Sequence, residues 1–226
     1  MSRLQELINK LCPNGVEFKP LGELGEFVRG TGIQKSDFTS AGVGCIHYGQ
    51  IYTSYNTFAT ETKSYITPEL AKKLRKAKKG NLIIATTSEN KEDVGKAVAW
   101  LGEKDIAVST DAFIFSHKLN PKYVAYFFQT DDFQKQKFPF VTGTKVMRIS
   151  GSDLSKIIIP VPPLEVQEEI VRILDKFSSY AAELQARKEQ YEYYRNLLLT
   201  FNPSACGCGT DDKQEMKNVT TWGGGA

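Results

Sequence analysis

No apolar run in this sequence approaches the roughly 20 residues that a membrane span needs. The opening residues, MSRLQELINKL, alternate charge with leucine where a signal peptide carries an apolar block. A cytoplasmic chain with no membrane partner is therefore expected. Cysteine is scarce: Cys12, Cys45, Cys206 and Cys208 are scattered apart from the segment CGCG, so no disulfide framework is expected and a reducing compartment fits. Two thiols alone fall short of the four ligands of a structural zinc site, so no metal is expected. His47 and His117 stand apart from each other and from other ligating residues, and are expected to be structural. The net charge of +3 is too small to announce a nucleic-acid binder by itself.

What is present begins with size. A chain of 226 residues can bury one ordinary core and carry an appendage. Charge is unevenly placed: TPELAKKLRKAKKG gathers Lys72, Lys73, Arg75, Lys76, Lys78 and Lys79 on what reads as one short helix, while acids collect in LEVQEEI. The lysines fit either a solvated face, with Leu70, Leu74 and Ala77 turned inward, or a surface facing phosphates. Ser2, with Gln5 three residues on, caps a first helix striped by Leu4, Leu7, Ile8 and Leu11. Strand and turn signals then dominate, with strands expected near 24–29, 43–48, 81–87, 95–101, 111–116 and 155–159. Thr67-Pro68-Glu69 and Asn120-Pro121 open helices, the second running through NPKYVAYFFQTDDFQKQKF. The expected fold class is α+β: a globular domain over 1–160 with a twisted mixed sheet, followed by a long coiled-coil helix.

After Pro163 the pattern changes. Every seventh residue gives Ile170, Phe177, Leu184, Tyr191 and Leu198; the positions three later are Ile173, Tyr180, Arg187, Tyr194 and Phe201. A two-position stripe held over successive heptads is a coiled-coil seam, because a straight helix drifts off it by roughly 20° per heptad. A long helix within 161–201, about 55 Å from Leu164 onward at 1.5 Å per residue, is therefore expected as a dimerisation rod. A helix lying on its own domain is the alternative and requires a wider apolar face. Pro160, Pro162 and Pro163 stop the preceding strand and stiffen the exit, and Glu165, Glu168 and Glu169 favour the helix start through its dipole. Residues 202–226 have no apolar period and read as a linker or disordered tail.

The segment TGTKVMRISGSDLSKIIIPVPPLEVQEEIVRILDKF resembles the close of a target-recognition domain in specificity (S) subunits of type I restriction-modification enzymes: a glycine loop, a strand, a P-PPL-EQ element and a long helix. VGCIHYGQIY, LAKKLRKAKKGNLIIAT and VGKAVAWLGEKDIAVSTDAFIFS follow the family's order, so the resemblance covers about residues 17–201. It departs at Val166 beside Glu165, where the family often has a second acidic or polar residue, and in NLIIATTS, which lacks the usual acid after the glycine. The family's complete subunit holds two recognition domains and two helices, so the resemblance implies a half-subunit that dimerises with its helices antiparallel. MKNVTTWGGGA weakly resembles the start of another such domain, which would make this the front half of a longer chain. The resemblance also implies partners: double-stranded DNA, methyltransferase (M) and restriction (R) subunits, and a second copy of the chain. S-adenosylmethionine, ATP and Mg would belong to the partner subunits, with no cofactor in this chain.

Catalytic signatures are missing. There is no glycine-rich cofactor loop after a strand, and no Asn/Asp-Pro-Pro-aromatic motif to hold a flipped base. Glu89-Asn90-Lys91 has the Glu-x-Lys of a metal-dependent nuclease but no convincing upstream Asp partner. Non-catalytic DNA recognition is expected, with a coiled-coil scaffold bearing a protein-binding head as the alternative. Loops rich in Gly, Ser, Thr, Tyr, Asn, Gln and Lys supply the groups that base edges and phosphates require. The candidates are Gln34, Lys35 and Ser36 in TGIQKSDF; Tyr48, Gln50, Tyr52, Thr53, Ser54, Tyr55 and Asn56 in YGQIYTSYNTF; Ser88, Asn90 and Lys91 in TTSENKEDVGK; and Thr144, Lys145 and Arg148 in VTGTKVMRIS. Arg148 suits guanine, Gln34, Gln50, Asn56 and Asn90 suit adenine, and Lys35, Lys91 and Lys145 suit phosphate.

Overall fold

The computed structural model describes residues 2–200; Phe201, Cys206, Cys208 and the rest of the tail lie outside the described residues. The chain divides into a compact unit, Met1–Leu174, and a second unit starting at Asp175. Along the chain run α1 (Arg3–Leu11), β1 (Glu17–Pro20), α2 (Leu21–Leu24), β2 (Gly25–Arg29), β3 (Val43–Ile46), α3 (Tyr48–Thr53), β4 (Phe58–Ala59) and β5 (Ser64–Ile66). Next come α4 (Pro68–Ala71), β6 (Lys76–Ala77), β7 (Leu82–Ala85), β8 (Thr87–Ser88), β9 (Ala97–Trp100), β10 (Ile106–Val108) and β11 (Ala112–His117). The series closes with α5 (Pro121–Phe127), α6 (Asp131–Lys137), β12 (Met147–Arg148), α7 (Gly151–Leu154), β13 (Ile158–Val161) and α8 (Leu164–Leu199).

The expected α+β class holds, with mixed sheets in layers. A five-stranded sheet of order β2-β11-β7-β9-β4 is antiparallel except for β4 beside β9. A four-stranded sheet of order β5-β3-β10-β6 contains the parallel pair β3–β10. Ile83, Ala85, Val98, Trp100 and Ile114 of the larger sheet pack with Ile46, Ala77, Ile106 and Val108 of the smaller one. The opposite face of the larger sheet, with Leu82, Ile84, Ala97, Ala99 and Phe115, is covered by Val124, Phe127, Phe128 and Phe133. Both faces being covered explains why β7 reads LIIA and β9 reads AVAW without polar alternation. A third core, with Ile33, Cys45, Ile66, Ala71 and Ala107, lies on the outer face of the smaller sheet. There burial, aided by Asp37, pushes the Cys45 thiol up to about 11, which makes it an inert core residue.

Several sequence expectations need correction. The basic stretch is not one helix: α4 ends at Ala71, and Lys76 sits on the edge strand β6 with Ala77 buried in the core. Leu70 and Leu74 do pack inward, so the apolar spacing was real while the period was not helical throughout. The segment after Asn120 forms α5 and α6 rather than one helix, because Thr130 breaks the run and its hydroxyl accepts from Phe133 N–H at 3.2 Å as a fresh cap. The strand expected at 155–159 is β13, displaced to Ile158–Val161. It continues through Pro160, which an edge strand tolerates, and among the described residues pairs only with β1, Phe18 facing Pro160. At the first helix, Ser2 Oγ accepts from Gln5 N–H at 3.3 Å as expected.

The opening turns of α8 belong to the compact unit. Val166 and Val171 are buried, and Ile170 packs against the main core. Buried Gln167 accepts from Asn120 N–H at 2.9 Å and donates to the Pro162 carbonyl at 2.7 Å, tying the proline exit to the cap of α5. Glu169 accepts from Arg172 Nε at 2.8 Å and Nη2 at 2.7 Å, and this keeps its carboxyl below the usual range. Within the second unit the expected seam is solvent-facing: Phe177, Tyr180, Leu184, Tyr191, Tyr194 and Leu198 are all exposed, Phe177 to 64% and Leu198 to 67%. Arg187, the charged residue of that seam, bonds Glu183 of its own helix at 2.9 Å.

Candidate nucleic-acid interface

The sheets bring loops together because their strands finish at one end. Register puts Arg29 at the end of β2 opposite Phe113, and Ala85 at the end of β7 opposite Ala112. It also sets Ile46 of β3 beside Val108 of β10. Gly30 and Thr31 stitch the two sheets at this end, donating to the carbonyls of Ala112 and Val108 at 2.9 Å each. Only glycine fits at position 30: a Cβ there would stand 2.1 Å from the Ser109 carbonyl oxygen. The loops after β2, β3, β7 and β10 therefore leave from neighbouring points.

In the first loop, buried Ile33 is the anchor, and a 3-10 turn Lys35–Asp37 is closed by a capping box. Asp37 Oδ2 accepts from Gln34 N–H at 2.7 Å, and the Gln34 side chain accepts from Asp37 N–H. Lys35 and Ser36 are exposed.

The second loop is largely α3 instead. His47 Nδ1 accepts from Gly49 N–H at 3.2 Å, and Gln50 Oε1 accepts from His47 N–H at 3.0 Å. The Gln50 amide also donates to Ser64 Oγ at 2.7 Å, so its hydrogen-bonding groups are engaged in holding α3. Tyr52 donates its hydroxyl to the Thr87 carbonyl at 3.0 Å, and burial pushes its pKa up. Tyr55, 6% exposed, is a core residue whose hydroxyl accepts from Lys63 N–H at 2.8 Å; this corrects its expected place on the surface. Thr53, Ser54 and Asn56 are exposed, while Tyr48 is half-buried and its N–H donates to Ser109 Oγ at 2.8 Å. The helix was missed because its shortness, its glycine and its threonine mask any 3.6-residue period.

The third and fourth loops meet through β8 and β12, where Ser88 faces Met147 and Thr87 faces Arg148. Asn90 closes its own turn, accepting from Asp93 N–H and donating to Asp93 Oδ2, both at 2.8 Å. Lys91 projects from this turn as an exposed residue. Thr142 and Arg148 exchange backbone hydrogen bonds at 2.9 and 2.8 Å, making a hairpin whose tip exposes Thr144 and Lys145. Gly143 at the tip has φ +109°, and a Cβ there would meet the Val146 carbonyl at 2.1 Å. Arg148 is exposed, opposite Thr87 on the paired strand.

Other residues at this end were not singled out from sequence. Ser109, Thr110 and Asp111 form the turn between β10 and β11 and border the first loop. Arg29 donates Nε to the Thr110 carbonyl at 2.9 Å, and Arg75 donates Nη1 to the Arg29 carbonyl at 2.8 Å. A polar trio between two apolar runs, VSTDAF, was the available signal. Lys137 gave none: it is fully buried, donating Nζ to the carbonyls of Glu92 and Val94 at 2.8 Å each, and so fastens the Asn90 loop from beneath. Burial lowers its pKa to about 8. His117, beside Phe115, is likewise pushed down to about 4 by burial and stays neutral at pH 7, as expected of a structural histidine.

The sequence model of the family described as "Type I restriction modification DNA specificity domain" matches residues 13–191. A putative type I restriction enzyme specificity subunit of Haemophilus influenzae is 28% identical over 162 residues, 65% of this chain and 40% of that protein. The EcoR124I/EcoR124II specificity subunit of Escherichia coli is 26% identical over 196 residues, 82% of this chain and 48% of that protein. The crystal structure of the HsdS subunit from Thermoanaerobacter tengcongensis shares the fold, with a TM-score of 0.55 and 17% identity over 81% of this chain and 44% of that one. The chain spans less than half the length of these proteins. With most of its length matched by that model, the chain belongs to the type I restriction modification DNA specificity domain family.

Proposed function

We propose that this chain is a non-catalytic specificity half-subunit that recognises a sequence in double-stranded DNA and directs methyltransferase and restriction subunits to a bipartite site. S-adenosylmethionine, ATP and Mg act in those partners. The observation that carries the reading is the convergence of Lys35, Ser36, Asn90, Lys91, Lys145 and Arg148, all exposed, on loops that leave one end of the paired sheets. Lysines suit phosphates, and Arg148 has the fork that pairs with guanine O6 and N7. Bonds to their own backbone fix several of these loops before any ligand arrives, which lowers the ordering cost of binding. The exposed stripe from Phe177 to Leu198 supports pairing with a second copy, antiparallel, to present two recognition units.

Reconstituting the chain with its cognate methyltransferase subunit and sequencing the methylated DNA tests this reading. Methylation confined to one inverted-repeat site, and dependent on this chain, is expected. Methylation indifferent to sequence, or unchanged when the chain is omitted, would refute it.

A further inference from the structure

A carboxylate on a surface that meets a polyanion needs a reason. Two acids near this end have one in the fold: Asp37 closes the Gln34 turn and Asp93 the Asn90 turn, as described above. Asp111 differs. With Gln34, Lys35, His47, Tyr48 and Thr110 it lines a cleft of about 360 Å³. Its side chain is 35% exposed, and Oδ1 meets Arg29 Nη2 only at 3.5 Å, the outer limit of a hydrogen bond. A tight guanidinium–carboxylate pair closes to about 2.7–2.9 Å. Here Arg29 is anchored instead on the Thr110 carbonyl, and Asp111, which lines the cleft, keeps only that long contact with it.

The same cleft is lined by a histidine. His47 uses Nδ1 to accept from Gly49 N–H, which assigns the proton of the neutral ring to Nε2. Burial first, and then Lys35, hold the imidazole below its usual pKa against the opposing pull of Asp111. One cleft is thus lined by an acceptor-only carboxylate, a neutral imidazole and Lys35.

We infer that Asp111 is a specificity-determining residue whose carboxylate accepts a hydrogen bond from an exocyclic base amino group, cytosine N4 or adenine N6, in the major groove. Among base edges displayed there, only these two carry a donor; guanine offers O6 and N7 and thymine O4, all acceptors that a carboxylate repels. Asp111 therefore admits C or A at one position of the site and rejects G and T. This rests on the proposed reading of the chain as a DNA-recognition subunit.

The test is selection from a randomised double-stranded oligonucleotide library by the full chain, wild type against Asp111→Ala and Asp111→Asn, with thermal unfolding to verify that each variant folds. The weak side-chain contacts of Asp111 predict that both do, and the asparagine variant keeps the shape of the site. In the wild type, one position is expected to retain C or A and exclude G and T. In both variants that exclusion falls about tenfold or more while other positions keep their preferences. Retained C assigns the contact to N4, and retained A to N6. Unaltered preference at every position in a folded variant, or equal weakening for all sequences, overturns the inference and leaves DNA recognition standing. A wild-type chain that selects no sequence overturns the proposed function, and this inference falls with it.

Discussion

Lys91 and Lys145 are exposed on loops while Arg148 is exposed on the paired strand β12, and their chemistry predicts different losses. Lys91→Ala and Lys145→Ala are expected to weaken binding of all DNA sequences. Arg148→Ala is expected to relax preference at one position, by roughly 1 to 3 kcal/mol. Competition binding over single-base variants of the site separates the two classes, and unchanged discrimination in Arg148→Ala would place guanine readout elsewhere. Lys137 predicts a pH effect. Its folded pKa of about 8 lies below the ordinary 10.5, so between these values the unfolded chain binds the extra proton. Stability contributed by this residue therefore rises with pH from about 8 upward, and its burial cost is fully present below 8. Denaturant unfolding at pH 7.5 and 9.5 should show wild type gaining stability relative to Lys137→Met; equal pH dependence in the two would show that the ammonium is not desolvated. Nothing in DFQKQKF distinguishes this lysine from Lys135, because both fit an amphipathic helix end, and only tertiary packing decides which is buried.

Among the elements, α3 shows how a side chain suited to base recognition can have a structural task. Gln50 has the amide that pairs with adenine, yet its carbonyl caps His47 N–H and its NH₂ reaches Ser64, some distance along the chain. Gln50→Ala is accordingly expected to cost about 1 kcal/mol of stability, measured by urea unfolding, with little change in base preference. A change in preference with stability intact would restore Gln50 as a reader. Other elements were legible because local chemistry and tertiary need agree. The Gly-Thr turn before Lys145 makes the hairpin that its composition indicates, and Asn120-Pro121 caps α5. The heptads of α8 were plain from spacing alone. The burial of Val166 and Val171 was not, since the apolar residues that meet the domain interleave with those of the seam. Short strands such as β8 and β12 escaped because two residues carry no period, although their pairing joins two of the loops.

At the scale of the whole molecule, the exposed stripe of α8 predicts self-association, read as a dimer by sedimentation velocity at micromolar concentration; a monomer there would remove the antiparallel pairing. Deleting residues 184–190 takes out one heptad and about 10 Å of helix while keeping the seam in phase. Specific binding is then expected either to move to half-sites about three base pairs closer or to be lost, because three base pairs also turn the duplex by roughly 100°. The original spacing with undiminished affinity, across a gel-shift series of spacers, would show that the helix sets no distance. The most direct test of DNA recognition by the converged loops is the affinity for duplex DNA as a function of salt. Log K for the selected site should fall linearly with log salt, by about 0.9 per phosphate neutralised, and Lys91→Ala with Lys145→Ala should together flatten the slope by about 2 per recognition unit, about 4 for the paired copies. An affinity indifferent to salt, or a slope that the double variant leaves unchanged, would contradict the account.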